Sequence, residues 1–512
     1  MTTLQRATLA VAAALSFLIT LSLAGCTNAP VTNAPTTNAN AANMNATNTN
    51  AASAANVNAS SAVNTSASEQ PVTLAVLDAL FADESFGRDL KSKLQLSDDQ
   101  IAQLHKVAAE ERNGLRESDA NAQSGSTRDA TERARQRIGT VVGADKADQV
   151  IAFARDRWSG DEGGPSSAPA SATANKSNEV PTDTRIVVNA PAFRMDIFEQ
   201  GRLVKSYKVG IGYPEFPLPA GMRKADQIIY NPEWTPPDEP WVESGSSKVK
   251  VGEKVASGSK LNPLGPVKIP IGLPSLIHGG KQPSRLGEFA SHGCVGLTND
   301  LSLEVAREIA RLGGANVSDE DVKNYQQDKT KPKSVKLPQP VRVELRYETI
   351  VATDDGKLHI YRDVYDRGTN TEENLRKVLD AHGVSFDQLS DQQRAQLTDA
   401  LKQMARDALG HPAEGDGTES MNASASNKNG NASNASANAS NKNSNASNKS
   451  DKNANKADAQ GAHVTRNVKG QKEIVVEIEA LRGKGYPAPV GDAFSTNGQK
   501  QTATAAKKEN RR

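Results

Sequence analysis

The chain has very little cysteine: its 512 residues contain two, Cys26 and Cys294. A thiolate zinc site needs further cysteines at ligand spacing, so we predict no metal, and no cofactor either. A charge excess of one sign is also lacking, because 61 Lys and Arg residues against 60 Asp and Glu residues give a net charge of +1. The bulk charge therefore gives no electrostatic case for a nucleic-acid partner.

An apolar run near the start, ending at Leu23, has the length of a signal-peptide core and is short for a membrane span. It leads into "LAGC" (23–26), which resembles the bacterial lipobox, where the peptide is cut before a cysteine that receives a diacylglycerol. The resemblance implies a signal peptide over 1–25, lipidation of Cys26 and a lipid-anchored protein in the periplasm of the cell envelope. The residues directly after Cys26 include no Asp. In the lipoprotein sorting rule that this resembles, their absence favours placement in the outer membrane. An uncleaved signal anchor is the alternative.

Three stretches are predicted to be disordered. Residues 27–70 are almost entirely Asn, Ala, Thr and Ser, and residues 414–460 repeat Asn, Ala, Ser and Lys. Such segments bury too little apolar surface to offset the entropy lost on ordering. We predict a tether over 26–70, with a root-mean-square reach of roughly 35–40 Å as a flexible coil, and linkers over 161–180 and 413–461.

A helical domain is predicted over 71–160. In "LSDDQIAQL" (96–104), Ser97 and Gln100 have the spacing of a capping box, and apolar residues follow at helical intervals. "LSDQQRAQL" (389–397) predicts a second helix that begins with the same capping chemistry.

Strand patterns begin after residue 180. "FRMDIFEQGRLVKSYKVGIG" (193–212) predicts a hairpin that turns at Gln200 and Gly201, and 341–365 predicts another. "EIVVEIEAL" (473–481) is a late strand, which either pairs with the preceding sheet or belongs to a small appendage. The predicted division of this part is a catalytic domain (181–337), a hairpin with a helical extension (338–412), and a small β-containing C-terminal segment with a basic tail (462–512).

Cys294 lies in "ASHGCVGL", shortly after "SLIHGG". A thiol is mostly protonated near neutral pH and needs a base or a positive environment to act as a nucleophile. His278 and His292 are the nearby candidate bases, and Gly293 allows a backbone N–H to face an oxyanion. A helix predicted over 300–314 would direct its N-terminal dipole toward the thiol. A buried, unreactive cysteine is the alternative.

The series His-Gly, spacer, Ser-His-Gly-Cys-Val resembles the signature of the L,D-transpeptidase catalytic domain, of the YkuD type. The likeness extends over roughly 184–365. It implies a mostly-β, sandwich-like catalytic domain with a short helix after the cysteine. The whole chain would then be multidomain, with a small helical region before this domain and long disordered linkers.

The resemblance also implies a reaction on peptidoglycan stem peptides. Cys294 would attack the carbonyl between the diamino acid at position 3 and D-Ala at position 4, forming a thioester and releasing D-Ala. His278 would act as base and then as acid, oriented by the Gly279 carbonyl. N–H groups around Gly293 and Cys294 would hold the oxyanion, and His292 would shape the site. An amine from another stem or from an envelope protein would take the acyl group.

Three further residues are predicted to bind substrate: Ser291, Tyr230 and Trp234. Packing in the core or in a loop is the alternative for the two aromatic residues. The sequence departs from the family at Gly296, where many members carry Arg or Asn, so acceptor choice and activity stay open there. With water as acceptor, the same site gives an L,D-carboxypeptidase. A non-catalytic envelope lipoprotein that binds peptidoglycan is a further alternative. Members of the family are typically acylated by carbapenems.

Overall fold

The computed structural model describes residues 70–115, 125–159, 178–235, 250, 252–272, 275–412 and 464–491. The predicted signal peptide and Cys26 lie outside these ranges, as do nearly all of the predicted tether and linkers. Within the described ranges, no helix combines the length and the apolar character needed to cross a membrane.

The described part of the region predicted as a helical domain (71–160) is helical. The capping box predicted for Ser97 and Gln100 is confirmed. Ser97 Oγ accepts the Gln100 N–H at 3.1 Å, and the Gln100 side chain accepts the Ser97 N–H at 3.0 Å. The apolar faces of these helices share one core that ends at Trp158. The helices are α1 (Leu74–Phe81), α2 (Glu84–Leu94), α3 (Asp98–Gly114), α4 (Thr127–Val142) and α5 (Ala144–Trp158).

The catalytic region is mostly β-structure, as predicted. Its strands are β1 (Arg185–Asn189), β2 (Arg194–Glu199), β3 (Arg202–Lys208), β4 (Ile211–Gly212), β5 (Gly221–Tyr230), β6 (Val267–Pro270), β7 (Leu276–His278), β8 (Phe289–Ser291), β9 (Val295–Gly296) and β10 (Lys333–Arg346). The main sheet has the order β3-β2-β1-β10-β5-β6-β7-β9, and β4 pairs with β8. The hairpin β2–β3 turns at Gln200 and Gly201, both with positive φ, which matches its prediction.

Strand β10 lies inside the main sheet, antiparallel to β5 and parallel to β1. The predicted domain division between 337 and 338 falls within this strand and is wrong. The sheet accommodates the prolines at 338 and 340 as an irregularity between Lys336 and Val341, where the register with β5 shifts. The first part of the hairpin predicted at 341–365 therefore belongs to the main sheet.

Helix α6 (Asn299–Leu312) follows the cysteine segment, as predicted, and Thr298 Oγ1 caps it by accepting the Leu301 N–H. Its Val305 and Ile309 are buried in the same core as the apolar residues of β6, β7 and β9. One face of this end of the sheet is thus covered by α6, and polar side chains that alternate with the core residues lie on the other face. Helix α7 (Asp319–Gln327) follows.

The late strand predicted at 473–481 is β13 (Glu473–Glu477), and it pairs with the second strand of the hairpin β11 (Ile350–Thr353) and β12 (Lys357–Tyr361). The three-stranded sheet shares a core with α8 (Glu372–Ala381) and α9 (Asp391–Met404). Helix α9 begins with the predicted capping box of Ser390 and Gln393.

The segment 464–491 is also built into the main core, where Val464 and Val468 are buried. The backbone N–H of Thr465 is bonded to the buried Glu215 carboxylate, and the Thr465 hydroxyl donates to the Gly125 carbonyl at 2.7 Å. The chain thus returns to the catalytic region after the predicted linker.

The helical domain contacts the segment 213–221, which joins β4 to β5. The hydroxyl of Thr127 donates to the Pro214 carbonyl at 2.9 Å, and the hydroxyl of Thr73 donates to the Glu215 carbonyl at 2.7 Å. The segment 213–221 is therefore held by both the helical domain and the C-terminal segment.

We expect the Val464→Thr variant to lower the free energy of unfolding by about 1–3 kcal/mol, because it places a hydroxyl in the apolar core with little change in shape. Val475→Thr in β13 is the matched control, since Val475 is exposed and its substitution should stay within about 0.5 kcal/mol. Urea unfolding followed by tryptophan fluorescence measures both. Equal stabilities would contradict the packing of the C-terminal segment.

Candidate active site

The pairing of β7 with β9 brings together the two segments that carry His278 and Cys294. In this parallel pair, Ile277 lies opposite Val295 and His278 lies opposite Gly296. Ile277 and Val295 are buried in the core beneath α6. Because side chains alternate along a strand, His278 and Gly296 face the other way. Cys294 lies in the bend directly before β9, and the backbone of Leu276, at the start of β7, bonds to its thiol.

The imidazole of His278 is buried and fixed in orientation. Its Nδ1 lies 2.7 Å from the Gly279 carbonyl oxygen. A carbonyl only accepts, so Nδ1 carries the hydrogen and Nε2 keeps its lone pair. Burial lowers the pKa of His278 to about 3; the Lys281 charge also lowers it, and the Gly279 bond opposes both. The imidazole is therefore neutral near pH 7 and can accept a proton from a thiol.

The thiol of Cys294 is also neutral at rest. Burial raises its pKa, while a hydrogen bond from the Leu276 backbone and the charge of Lys281 act in the opposite direction. A neutral thiol must lose its proton as it attacks, so it needs a base beside it. Asn299, the first residue of α6, supports the turn after His278, because its Oδ1 accepts the Gly280 N–H at 2.8 Å.

Ser291 holds the backbone of the cysteine segment. Its Oγ accepts the Cys294 N–H at 3.0 Å and donates to the Cys294 carbonyl at 2.6 Å. This buried hydroxyl therefore fixes the backbone of Cys294, and contact of Ser291 with substrate stays a prediction. The Cys294 N–H is already bonded to Ser291, which argues against its predicted part in the oxyanion hole. The Gly293 N–H, with φ of 85° at that residue, has no bonded acceptor among the described residues and stays a candidate donor.

His292 lies between aromatic rings at the edge of the site. Its ring meets the rings of Tyr213 and Phe216 edge-on, with centroids 5.2 and 4.4 Å away. A Cβ placed on the neighbouring Gly293 would lie 3.8 Å from the Trp158 ring, so the end of α5 also reaches this segment. His292 thus packs against the segment 213–221, and its predicted role in shaping the site stays a prediction.

The two aromatic residues predicted to bind substrate differ in placement. Tyr230 is fully buried on the core face of β5, with its ring 5.2 Å from that of Tyr325, and burial raises its pKa to about 12. The prediction for Tyr230 is wrong because strand alternation directs it into the core. Trp234 is half-buried, and its backbone pairs with that of Val255. Its contact with substrate stays a prediction.

Lys281 is a residue of this site that the sequence did not reveal. A Cβ added to Gly296 would lie 2.9 Å from Lys281 Cγ and 3.1 Å from its Cε. The lysine side chain thus occupies the space in which a side chain at 296 would begin. The only signal in the sequence was the glycine at 296, where many family members carry a side chain. No neighbouring residue in the sequence connects Gly296 with Lys281.

Comparison with known proteins identifies this region. Residues 183–331 match the family model of the L,D-transpeptidase catalytic domain, YkuD. The predicted resemblance to this domain family is thereby confirmed over these residues, and the predicted lipoprotein stays a prediction. No curated protein matches the chain.

The chain is also similar to solved L,D-transpeptidase structures. One from Enterococcus faecium is 15% identical, covering 32% of this chain and 50% of the other, with a TM-score of 0.20. An isolated catalytic domain from E. faecium is 14% identical, covering 33% and 100%, with a TM-score of 0.20. One from Mycobacterium smegmatis is 14% identical, covering 32% and 58%, with a TM-score of 0.18. The chain spans about half the length of the structures it matches first.

The buried imidazole makes stability depend on pH. The unfolded chain protonates His278 near its ordinary pKa of 6.5, whereas the folded chain resists protonation down to about 3. Unfolding therefore takes up a proton, and stability falls as the pH falls through this window. We expect His278 to account for a loss of about 2 kcal/mol between pH 6.5 and 5.

Urea unfolding at pH 7, 6 and 5 measures this loss, with wild type compared with His278→Gln. The variant should lose less stability on acidification than the wild type. Parallel losses in the two proteins would show that His278 is not the buried neutral group described here.

Proposed function

We propose that this protein is a peptidoglycan L,D-transpeptidase with Cys294 as its nucleophile. The proposal is supported by the pairing of β7 with β9, which brings the segment of Cys294 beside that of His278, and by the Nδ1 bond to Gly279, which leaves Nε2 free to accept a proton. The family match over 183–331 supports a stem-peptide substrate. Cleavage would fall between the diamino acid at position 3 and D-Ala at position 4.

The first half-reaction forms a thioester. Sγ of Cys294 attacks the carbonyl carbon while Nε2 of His278 takes the thiol proton, and the Gly293 N–H donates to the oxyanion. The imidazolium then gives this proton to the D-Ala nitrogen as the C–N bond breaks. Because burial and the Lys281 charge lower the pKa of His278, its imidazolium is a strong acid for protonating a poor leaving amine.

The second half-reaction transfers the acyl group to an amine. Nε2 takes a proton from the attacking amine and returns it to the sulfur when the thioester breaks, so the free enzyme is restored. A stem amine would give a 3→3 cross-link, and an amine of an envelope protein would give an attached protein. Water at the same position would give the L,D-carboxypeptidase reaction.

We further propose that a lipid on Cys26 anchors the protein in the envelope, with the outer membrane favoured. The lipobox-like "LAGC" and the absence of Asp after Cys26 support this. The polar stretch 27–70 would let the catalytic domain act at a distance from the membrane.

The proposal is tested with the full chain in a mild detergent and a disaccharide tetrapeptide, with products identified by mass spectrometry. We expect wild type to release D-Ala and Cys294→Ala to release none, because the variant cannot form the thioester. His278→Gln should be slower by about 100-fold or more, the usual contribution of a general base. Cys26→Ser, which changes the only other cysteine of the sequence, is the matched control and should keep the wild-type rate.

Identical products from wild type and Cys294→Ala would contradict the enzymatic proposal. Release of D-Ala without a cross-linked dimer would leave Cys294 as nucleophile and assign water as the acceptor.

A further inference from the structure

Two lysine side chains flank His278 on the face of the sheet that points away from the core beneath α6. Lys268 of β6 lies directly opposite His278 of β7 in an antiparallel pair. Directly opposite residues point to the same face, with Cβ atoms about 5 Å apart. The neighbours of Lys268 in the strand, Val267 and Ile269, are buried in the core, which confirms that Lys268 faces the other way. Lys268 is half-buried.

Lys281 approaches from the other side of His278. Its side chain lies over Gly296, which is itself paired with His278. Its backbone N–H donates to the Leu297 carbonyl at 3.0 Å, so the start of the side chain is fixed beside β9. The order across the face is therefore Lys268, His278 and Lys281, and Cys294 lies in the bend two residues before Gly296.

We propose that Lys268 and Lys281 form a carboxylate-binding subsite that takes the free C-terminal carboxylate of the donor stem peptide. The inference rests on the proposed function. In a tetrapeptide, the carboxylate of D-Ala lies one residue, about 3.6 Å at most, beyond the scissile carbonyl. When the thiol attacks this carbonyl beside His278, the D-Ala carboxylate must also lie close to His278. It is then among the side chains that flank His278.

The charges of the two lysines fit this ligand. Burial lowers the pKa of Lys268, with the Glu233 charge opposing, so a carboxylate would compensate a partly desolvated ammonium. The charge of Lys281 reaches the reacting pair, since it lowers the pKa of both His278 and Cys294. An ion pair in a partly desolvated cleft is stronger than one in bulk water. A stem with an extra residue would move its carboxylate away from the lysines.

Thiol alkylation tests the subsite without any turnover. Iodoacetate and iodoacetamide react with the same sulfur, but only iodoacetate carries a carboxylate next to the reacting carbon. In the full chain with Cys26→Ser, we expect Lys268→Met and Lys281→Met each to lower the iodoacetate-to-iodoacetamide rate ratio by about five-fold. Lys268→Arg and Lys281→Arg should retain the ratio. A change in thiol activation alone would alter both rates and leave the ratio unchanged.

Lys336→Met is the matched control. It removes one positive charge from an exposed lysine of β10, three strands and about 14 Å from β7. Its iodoacetate-to-iodoacetamide rate ratio should equal that of the chain with Cys26→Ser alone. An unchanged ratio in Lys268→Met and Lys281→Met, or an equal fall in Lys336→Met, would overturn the subsite.

Turnover separates this inference from the proposed function. Wild type should process a tetrapeptide with a free carboxylate about ten-fold or more faster, in kcat/KM, than its C-terminal amide, and the two Met variants should lose the preference. Equal turnover of both peptides would overturn the subsite and leave the function standing. Turnover of neither peptide, with the alkylation ratio responding as expected, would overturn the function and support the subsite.

Discussion

The parallel pairing of β7 with β9 is the constraint on which the rest of the site depends. It aligns His278 with Gly296 and so brings the segment of Cys294, which directly precedes β9, beside that of the imidazole. A shift of one residue would turn His278 into the apolar core and Ile277 out of it. The burial of Ile277 and Val295 beneath α6 therefore secures the register, and with it the geometry of the reacting pair.

A strand as short as β9 cannot maintain this register alone, and the surrounding structure supports it. Ser291 bonds to the backbone of Cys294 on one side, and Asn299 bonds to Gly280 on the other. The segment 213–221 packs against the ring of His292 and is held by the helical domain and by residues after 463. Parts of the chain that carry none of the proposed chemistry thus help to position the groups that do.

Features set by nearby residues could be predicted from the sequence, and features set by distant ones could not. The capping box of Ser97 and the turn at Gln200 depend on a few adjacent residues, and both are found as predicted. The inward direction of Tyr230 depends on its position along β5 relative to strands far away in sequence. The course of β10 through its prolines and the return of the chain at Val464 depend likewise on tertiary packing. The same is true of Lys281 over Gly296.

The electrostatics of the site follow from this burial. A low-dielectric setting disfavours the charged forms of both His278 and Cys294, so both groups are neutral at rest. Lys281 lies in the position that a side chain at 296 would otherwise fill, and its charge lowers the pKa of both groups, which favours the thiolate and disfavours the imidazolium. In the proposed reaction, an imidazolium formed during attack would therefore readily give its proton to the leaving nitrogen. Gly296 departs from the family pattern, and because it has no side chain it leaves room for Lys281. The charge of Lys281 can therefore act on both His278 and Cys294.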